Sequence, residues 1–303
     1  MMRKWTMVSF AALAVLLLGM TILPLGREPG SSQAAAPADI PDGCTVIMVA
    51  KGASTDGSTM ATHTCDCGTC DWTWRHVPAA EHKPGETRKI YHINQYKTWP
   101  PEEGLKWDLY KNDFTGLEIP EVPQTYGYHH GMFGYMNDQQ LGIGESTIGC
   151  ARKLYNNTPT PAFDITMLTL VAMERAKTAR EAILLMGSLA EKYGYGFNDG
   201  GEMLAVHDPN ELWVFEIMPA GPLWTPKTGK PGAVWCAQRV PDDQVCVCPN
   251  ESRIGEVDLK NKDYFLGSAH MVAFAVEQGL YDRDPIRQGQ GTPGRPIRQP
   301  EPL

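Results

Sequence analysis

Two helix signals stand side by side in a chain whose other ordered stretches read as strands, and that order restricts the fold more than anything else in the 303 residues. Asp164 can cap a helix running to about Arg175, with Ile165, Leu168, Val171 and Ala172 on one face. Thr178 and Glu181 form a capping box, each satisfying the other's orphan amide. The helix they open presents Ala182, Leu185, Met186 and Leu189 until Gly194 ends it. Ahead of the helices, residues 44–50 are apolar and β-branched, Asp56-Gly57 marks a turn, and 59–64 reads as the returning strand. Strand character resumes over 126–149, with a turn at Asn137-Asp138. Beyond the helices, 203–207 and 212–218 form a hairpin around Asp208-Pro209-Asn210, and 234–239 pairs with 244–248. Residues 71–125, rich in Trp, Tyr, Pro and His, read as loops with short strands along one wall of a cleft. Strands, two adjacent helices, then strands make an α+β layout with helices covering a mainly antiparallel sheet.

The ends look different. Arg3 and Lys4 precede an apolar run from Val8 to Leu25, and small residues follow, ending in Ala34-Ala35-Ala36. Residues 1–36 therefore read as a secretory signal, or as a signal anchor that stays in the membrane, and the protein as exported. Residues 37–43 read as a propeptide, 44–283 as the folded domain, and 284–303 as a tail too poor in apolar residues to fold. A net charge of −8 argues against a nucleic-acid groove. Membrane contact is expected only through the N-terminal segment, and a homo-oligomer is left open. Export permits disulfides among the eight cysteines. The cluster Cys65, Cys67 and Cys70 is expected to form disulfides in preference to a zinc site with Cys246 and Cys248, with the connectivity open.

Cys44 opens the first strand directly after Gly43. Cleavage between them would free an α-amine whose ordinary pKa, about 7.7–8.0, lets it take the thiol proton at working pH. One residue would then be both nucleophile and base. Gly43, without a Cβ, would let the sulfur approach its carbonyl. The plainer alternative is a buried or disulfide-bonded cysteine at a strand start.

The run Cys-Thr-Val-Ile-Met-Val-Ala-Lys-Gly-Ala-Ser-Thr-Asp-Gly-Ser from Cys44, with His63-Thr-Cys-Asp66, resembles the mature start of the N-terminal-nucleophile cysteine dipeptidases. These are relatives of secernins and of bile salt and penicillin acylases. The resemblance continues, in order, through Gly134-Tyr-Met-Asn137, Gly144-Glu-Ser-Thr-Ile-Gly149, Asp208-Pro-Asn-Glu-Leu-Trp213 and Asn250-Glu-Ser-Arg-Ile-Gly255, and fades near Tyr281. It implies an αββα sandwich, here C-terminally incomplete, and hydrolysis of short peptides through an acyl-enzyme on Cys44; the alternatives are an acylase on another amide, such as a bile-acid or acyl conjugate, and an inactive truncated homologue acting as a non-catalytic exported protein. It implies that Asp66 holds the α-ammonium or thiol, that Asn137 donates to the oxyanion, and that Asn250 is a second polar group at the site. His63 stands where the acylases tend to place an arginine, and Arg253 steadies Asn250 or meets a substrate carboxylate. Asn137 and Asn250 could equally be turn residues, and Arg253 a surface ion pair. No metal or cofactor is called for, since nucleophile, base and oxyanion donors are all protein groups.

Overall fold

The computed structural model describes residues 43–66, 74–93, 113–156, 160–196 and 200–281, all within the unit Asp42–Leu303. The expected signal segment 1–36, the expected propeptide 37–43 apart from Gly43, Cys67, Cys70 and the expected tail 284–303 lie outside the described residues. The strands in chain order are β1 (Gly43–Val49), β2 (Met60–Ala61), β3 (Thr64–Asp66), β4 (Arg75–Val77), β5 (Ala80–Glu81), β6 (Thr87–His92), β7 (Asp113–Pro120) and β8 (Gln124–Thr125). They continue as β9 (Tyr128–His130), β10 (Gly134–Asn137), β11 (Gly142–Ile148), β12 (Gly201–His207), β13 (Leu212–Pro219), β14 (Ala233–Arg239), β15 (Val245–Cys248) and β16 (Phe265–Gly267). The α-helices are α1 (Ile165–Arg175), α2 (Ala179–Tyr193) and α3 (Met271–Glu277).

Eight strands form one antiparallel sheet in the order β16-β14-β13-β12-β11-β10-β9-β4, and β15, β1, β2 and β3 form a smaller one around β1. The period of two along β12 and β13 explains the layering. Met203, Ala205, Leu212 and Val214 pack with Val46 and Met48 of the small sheet, while Leu204, Val206, Trp213 and Phe215 share a core with the helices. The result is helix on sheet on sheet, three layers of the expected four. Among the described residues no helix covers the outer face of the small sheet, where Ile47, Val245 and Val247 are exposed.

Both expected helices form. Asp164 caps α1 by accepting from Met167 N at 2.7 Å. Almost all of α1 is buried instead of one stripe, because the β6–β7 hairpin contributes Ile90, Tyr91 and Ile119 to the same core. That hairpin lies in the stretch expected to be mostly loop; its alternation is hidden by the polar start Thr87-Arg88-Lys89. Thr178 caps α2 through Glu181 N at 3.2 Å, but Glu181 reaches back to Lys177 N at 2.8 Å instead of closing the box on Thr178.

Two departures shape the site. The returning strand expected over 59–64 breaks at Thr62-His63 into β2 and β3, with the hydroxyls of Thr62 and Thr64 accepting from Ile47 N and Thr45 N at 3.1 Å each. The expected pairing of 234–239 with 244–248 does not occur. β14 pairs with β13 and β16, while β15 crosses to the small sheet and pairs with β1, Val46 opposite Cys248.

Candidate active site

Extending the β1–β15 register by two residues places Asn250 opposite Cys44. Asn250 leaves the strand with φ of 56°, a left-handed conformation that asparagine tolerates better than most residues. Its side-chain Oδ1 accepts from Cys44 N at 2.6 Å. Its Nδ2 donates to Thr147 O at 2.7 Å, and its backbone N donates to Ser146 Oγ at 3.0 Å. These bonds define which end of the amide faces Cys44. Ser146 Oγ also donates to Cys44 O at 3.3 Å, so the backbone of Cys44 is held at both ends.

The thiol is buried among three groups. Cys65 lies directly opposite across the β1–β3 ladder, and its hydrogen bond, followed by burial, pushes the Cys44 thiol far above its ordinary range. Cys44 Sγ donates to Glu145 Oε2 at 3.5 Å, and His63 Nε2 stands 3.3 Å from the same oxygen. Burial works against a charge on His63, but contacts with Cys44 and Glu145 win and hold its imidazole up to about 9. Glu145 is 1% exposed; despite burial, His63, Glu202 and Thr147 keep its carboxyl below the usual range. The raised thiol and the raised imidazole describe a protonated sulfur beside a buried imidazolium–carboxylate pair. Cys44, His63 and Glu145 bring sulfur, nitrogen and oxygen donors within 4.8 Å of one another, so they are also the described residues that could close on a thiophilic metal ion.

His63 and Cys65 form one side of a cavity of about 470 Å³. Trp74, His129, Met132, Phe133, Tyr135 and Met136 also line it, with the Phe133 ring 5.4 Å from the His63 ring. Trp74 stacks on Tyr135 with centroids 5.2 Å apart and donates through Nε1 to His129 Nδ1 at 2.9 Å. The cleft wall expected from the aromatic stretch is thus partly present, built jointly with β9 and β10.

The remaining expected site residues fall elsewhere. Asp66 is exposed and opposite Gly43, and no hydrogen bond joins it to Cys44 among the described residues. Asn137 cannot serve as oxyanion donor here, because both hydrogens of its Nδ2 are committed, to Met173 O at 3.0 Å and Ala176 O at 2.8 Å. Its Oδ1 accepts from Leu141 N and Gln139 N, so Asn137 is a buried turn residue that also caps the end of α1. Arg253 neither steadies Asn250 nor faces the cavity lining. Its backbone N donates to Glu216 Oε1 at 2.6 Å. Its side chain lies beside Cys246, whose thiol is brought down to about 7 by the Cys248 hydrogen bond, against burial and with the Arg253 charge. No disulfide joins any two of the described cysteines, so the expected bridges are not made among them. Glu145 was not singled out from the sequence. An acidic residue in the middle of a buried strand, as in Gly144-Glu145-Ser146, was the available signal, since a carboxylate is rarely buried without a partner.

Residues 43–288 match the family described as Peptidase family C69. A "Probable dipeptidase" of Latilactobacillus sakei is 26% identical over 246 residues, covering 76% of this chain and 44% of the relative. A "Probable dipeptidase A" of Streptococcus pyogenes serotype M1 is 28% identical over 235 residues, covering 76% and 44%. A "Probable dipeptidase" of Salmonella dublin is 27% identical over 250 residues, covering 79% and 50%. The chain thus spans about half the length of the curated relatives it matches. A solved penicillin V acylase from Agrobacterium tumefaciens overlaps 68% of this chain and 49% of its own at 10% identity and a TM-score of 0.29, too loose a fit to carry an argument. The family match takes in most of the chain and begins one residue before Cys44, whose nitrogen meets Asn250 and whose sulfur meets the Glu145 carboxylate paired with His63: the protein belongs to peptidase family C69.

Proposed function

We propose that this protein is an exported cysteine dipeptidase of N-terminal-nucleophile type, in which Cys44 becomes the first residue and hydrolyses short peptides. The observation that carries the reading is the grip of Asn250 Oδ1 on Cys44 N at 2.6 Å. An acceptor aimed at that nitrogen remains a partner when the amide becomes an amine, and keeps the amine beside its own sulfur. The amine, with an ordinary pKa of about 7.7–8.0, then takes the thiol proton as sulfur attacks a substrate carbonyl. An acyl group passes to Sγ, the leaving amine departs protonated, and water releases the acid. His63, carrying positive charge beside the sulfur, stabilises the thiolate form. The names of the relatives point to dipeptides as substrates.

Mass spectrometry of the mature protein is expected to find a chain beginning at Cys44. Cys44→Ala is expected to lower kcat/KM on dipeptides by at least about a thousandfold, the scale of a lost nucleophile. Turnover by an uncut chain, or undiminished turnover by Cys44→Ala, defeats the reading.

A further inference from the structure

A chain that cuts itself before Cys44 faces a chemical difficulty that the finished enzyme does not. Until the bond breaks, the Cys44 nitrogen is an amide and cannot act as a base. Some other group must take the thiol proton for that single event. We propose that Glu145 is the base of self-cleavage at Gly43–Cys44, and that its work ends once the α-amine exists. The proposal rests on the reading of Cys44 as the future first residue.

The geometry carries it. Cys44 Sγ lies 3.5 Å from Glu145 Oε2 in donor–acceptor geometry, so a carboxylate oxygen already stands within reach of the thiol proton before reaction. The other oxygen, Oε1, accepts from Thr147 Oγ1 at 3.0 Å, which helps fix the carboxylate's rotation, while Oε2 faces both the sulfur and His63. The Cys44 backbone is pinned at its nitrogen by Asn250 and at its carbonyl by Ser146, leaving the Gly43 carbonyl as the electrophile next to the sulfur. The titratable groups facing Glu145 are Cys44 from β1, His63 from the β2–β3 connection and Glu202 from β12, with Cys65 of β3 beside the sulfur. His63, held protonated, has no lone pair for the thiol proton, and Cys65 is a thiol itself. Glu145 is a weak base towards so reluctant a thiol. A reaction that runs once per molecule tolerates that weakness; a repeated turnover does not.

The step balances. Sγ attacks the Gly43 carbonyl carbon through a five-membered ring while its proton passes to Oε2. The tetrahedral adduct expels the Cys44 nitrogen, which takes the proton back. Gly43 is then a thioester on Sγ, and the α-amine is free. One water hydrolyses the thioester, giving the Gly43 carboxylate and the Cys44 thiol.

The test uses the full chain made by cell-free translation, with cutting followed by intact mass. Glu145→Gln is expected to slow cutting by about a hundredfold or more, the usual weight of a general base. Hydroxylamine, which traps thioesters, is expected to speed release from the wild type and to leave Glu145→Gln unaffected. The wild-type rate is expected to fall in acid as Glu145 protonates, below the ordinary carboxylate range. Cutting of Glu145→Gln at the wild-type rate overturns the role of Glu145 alone, whereas a wild-type chain that never cuts overturns it together with the reading of Cys44. Should near-UV circular dichroism show Glu145→Gln unfolded, the wild-type profile decides: an acid limb supports the proposal, and a rate flat through the carboxylate range overturns it.

Discussion

Asp164 shows how one side chain can cap a helix and still be an acid under strain. Oδ1 accepts from Met167 N and Oδ2 from Ile93 N, bonds that favour the carboxylate. Complete burial outweighs them and raises the carboxyl from 3.8 to about 7. A raised folded pKa means that the folded state binds a proton the unfolded chain has already lost. This contribution to stability is complete below 3.8 and is lost as pH rises through about 7. Urea titrations at a series of pH values are expected to show that decline. Asp164→Asn, which cannot titrate, is expected to flatten this part of the curve; an unchanged slope in the variant refutes the assignment. The cap was legible in the sequence because Asp before an apolar period is a local signal. Its ionisation was not, since Ile93 and the burial around it come from distant chain.

At the scale of elements, Asn137 ties the β10–β11 turn to the end of α1. A helix end leaves carbonyls without partners, and Asn137 Nδ2 supplies donors to two of them, Met173 O and Ala176 O, while its Oδ1 closes the turn. Removing it orphans buried groups on two elements at once. Asn137→Ala is expected to lower unfolding free energy by about 1–3 kcal/mol, read from denaturant midpoints. Turnover per folded molecule is expected to stay near the wild type. A hundredfold fall in kcat with unchanged stability restores the oxyanion role that the structure removes. The strand β15 teaches a related lesson. Its strand character was visible over 244–248, but an isolated strand signal does not name its partner. Pairing with β1 instead of β14 brings Asn250 to Cys44, and the contact joins residues 206 apart in sequence.

Taken whole, the molecule is a helix layer on a large sheet on a small sheet, with apolar side chains still exposed beyond. Ile47 is 43% exposed, Val245 48% and Val247 41%, all on the outer face of the small sheet. Such a patch binds hydrophobic dyes and lowers solubility without adding to the core. The double variant Val245→Thr, Val247→Thr keeps β-branched side chains in the strand. It is expected to reduce dye fluorescence and aggregation while changing stability by less than about 1 kcal/mol. A loss of several kcal/mol would mean that this face is covered in solution.

The amino-acid sequence by itself determined what depends on near neighbours: the two capped helices, the strand that opens at Cys44, and the α+β order of elements. It also carried the family, because ordered motifs persist over most of the chain. Tertiary structure alone decided the chemistry around the sulfur. Cys44, His63, Glu145 and Asn250 lie on separate strands and connections, and nothing in their spacing reveals which will converge. Local signals act over a few residues through backbone geometry. Convergence depends on strand partners and on burial: burial raises an aspartate, while the neighbours that the strands bring in charge a histidine against burial and turn an unremarked glutamate toward a thiol.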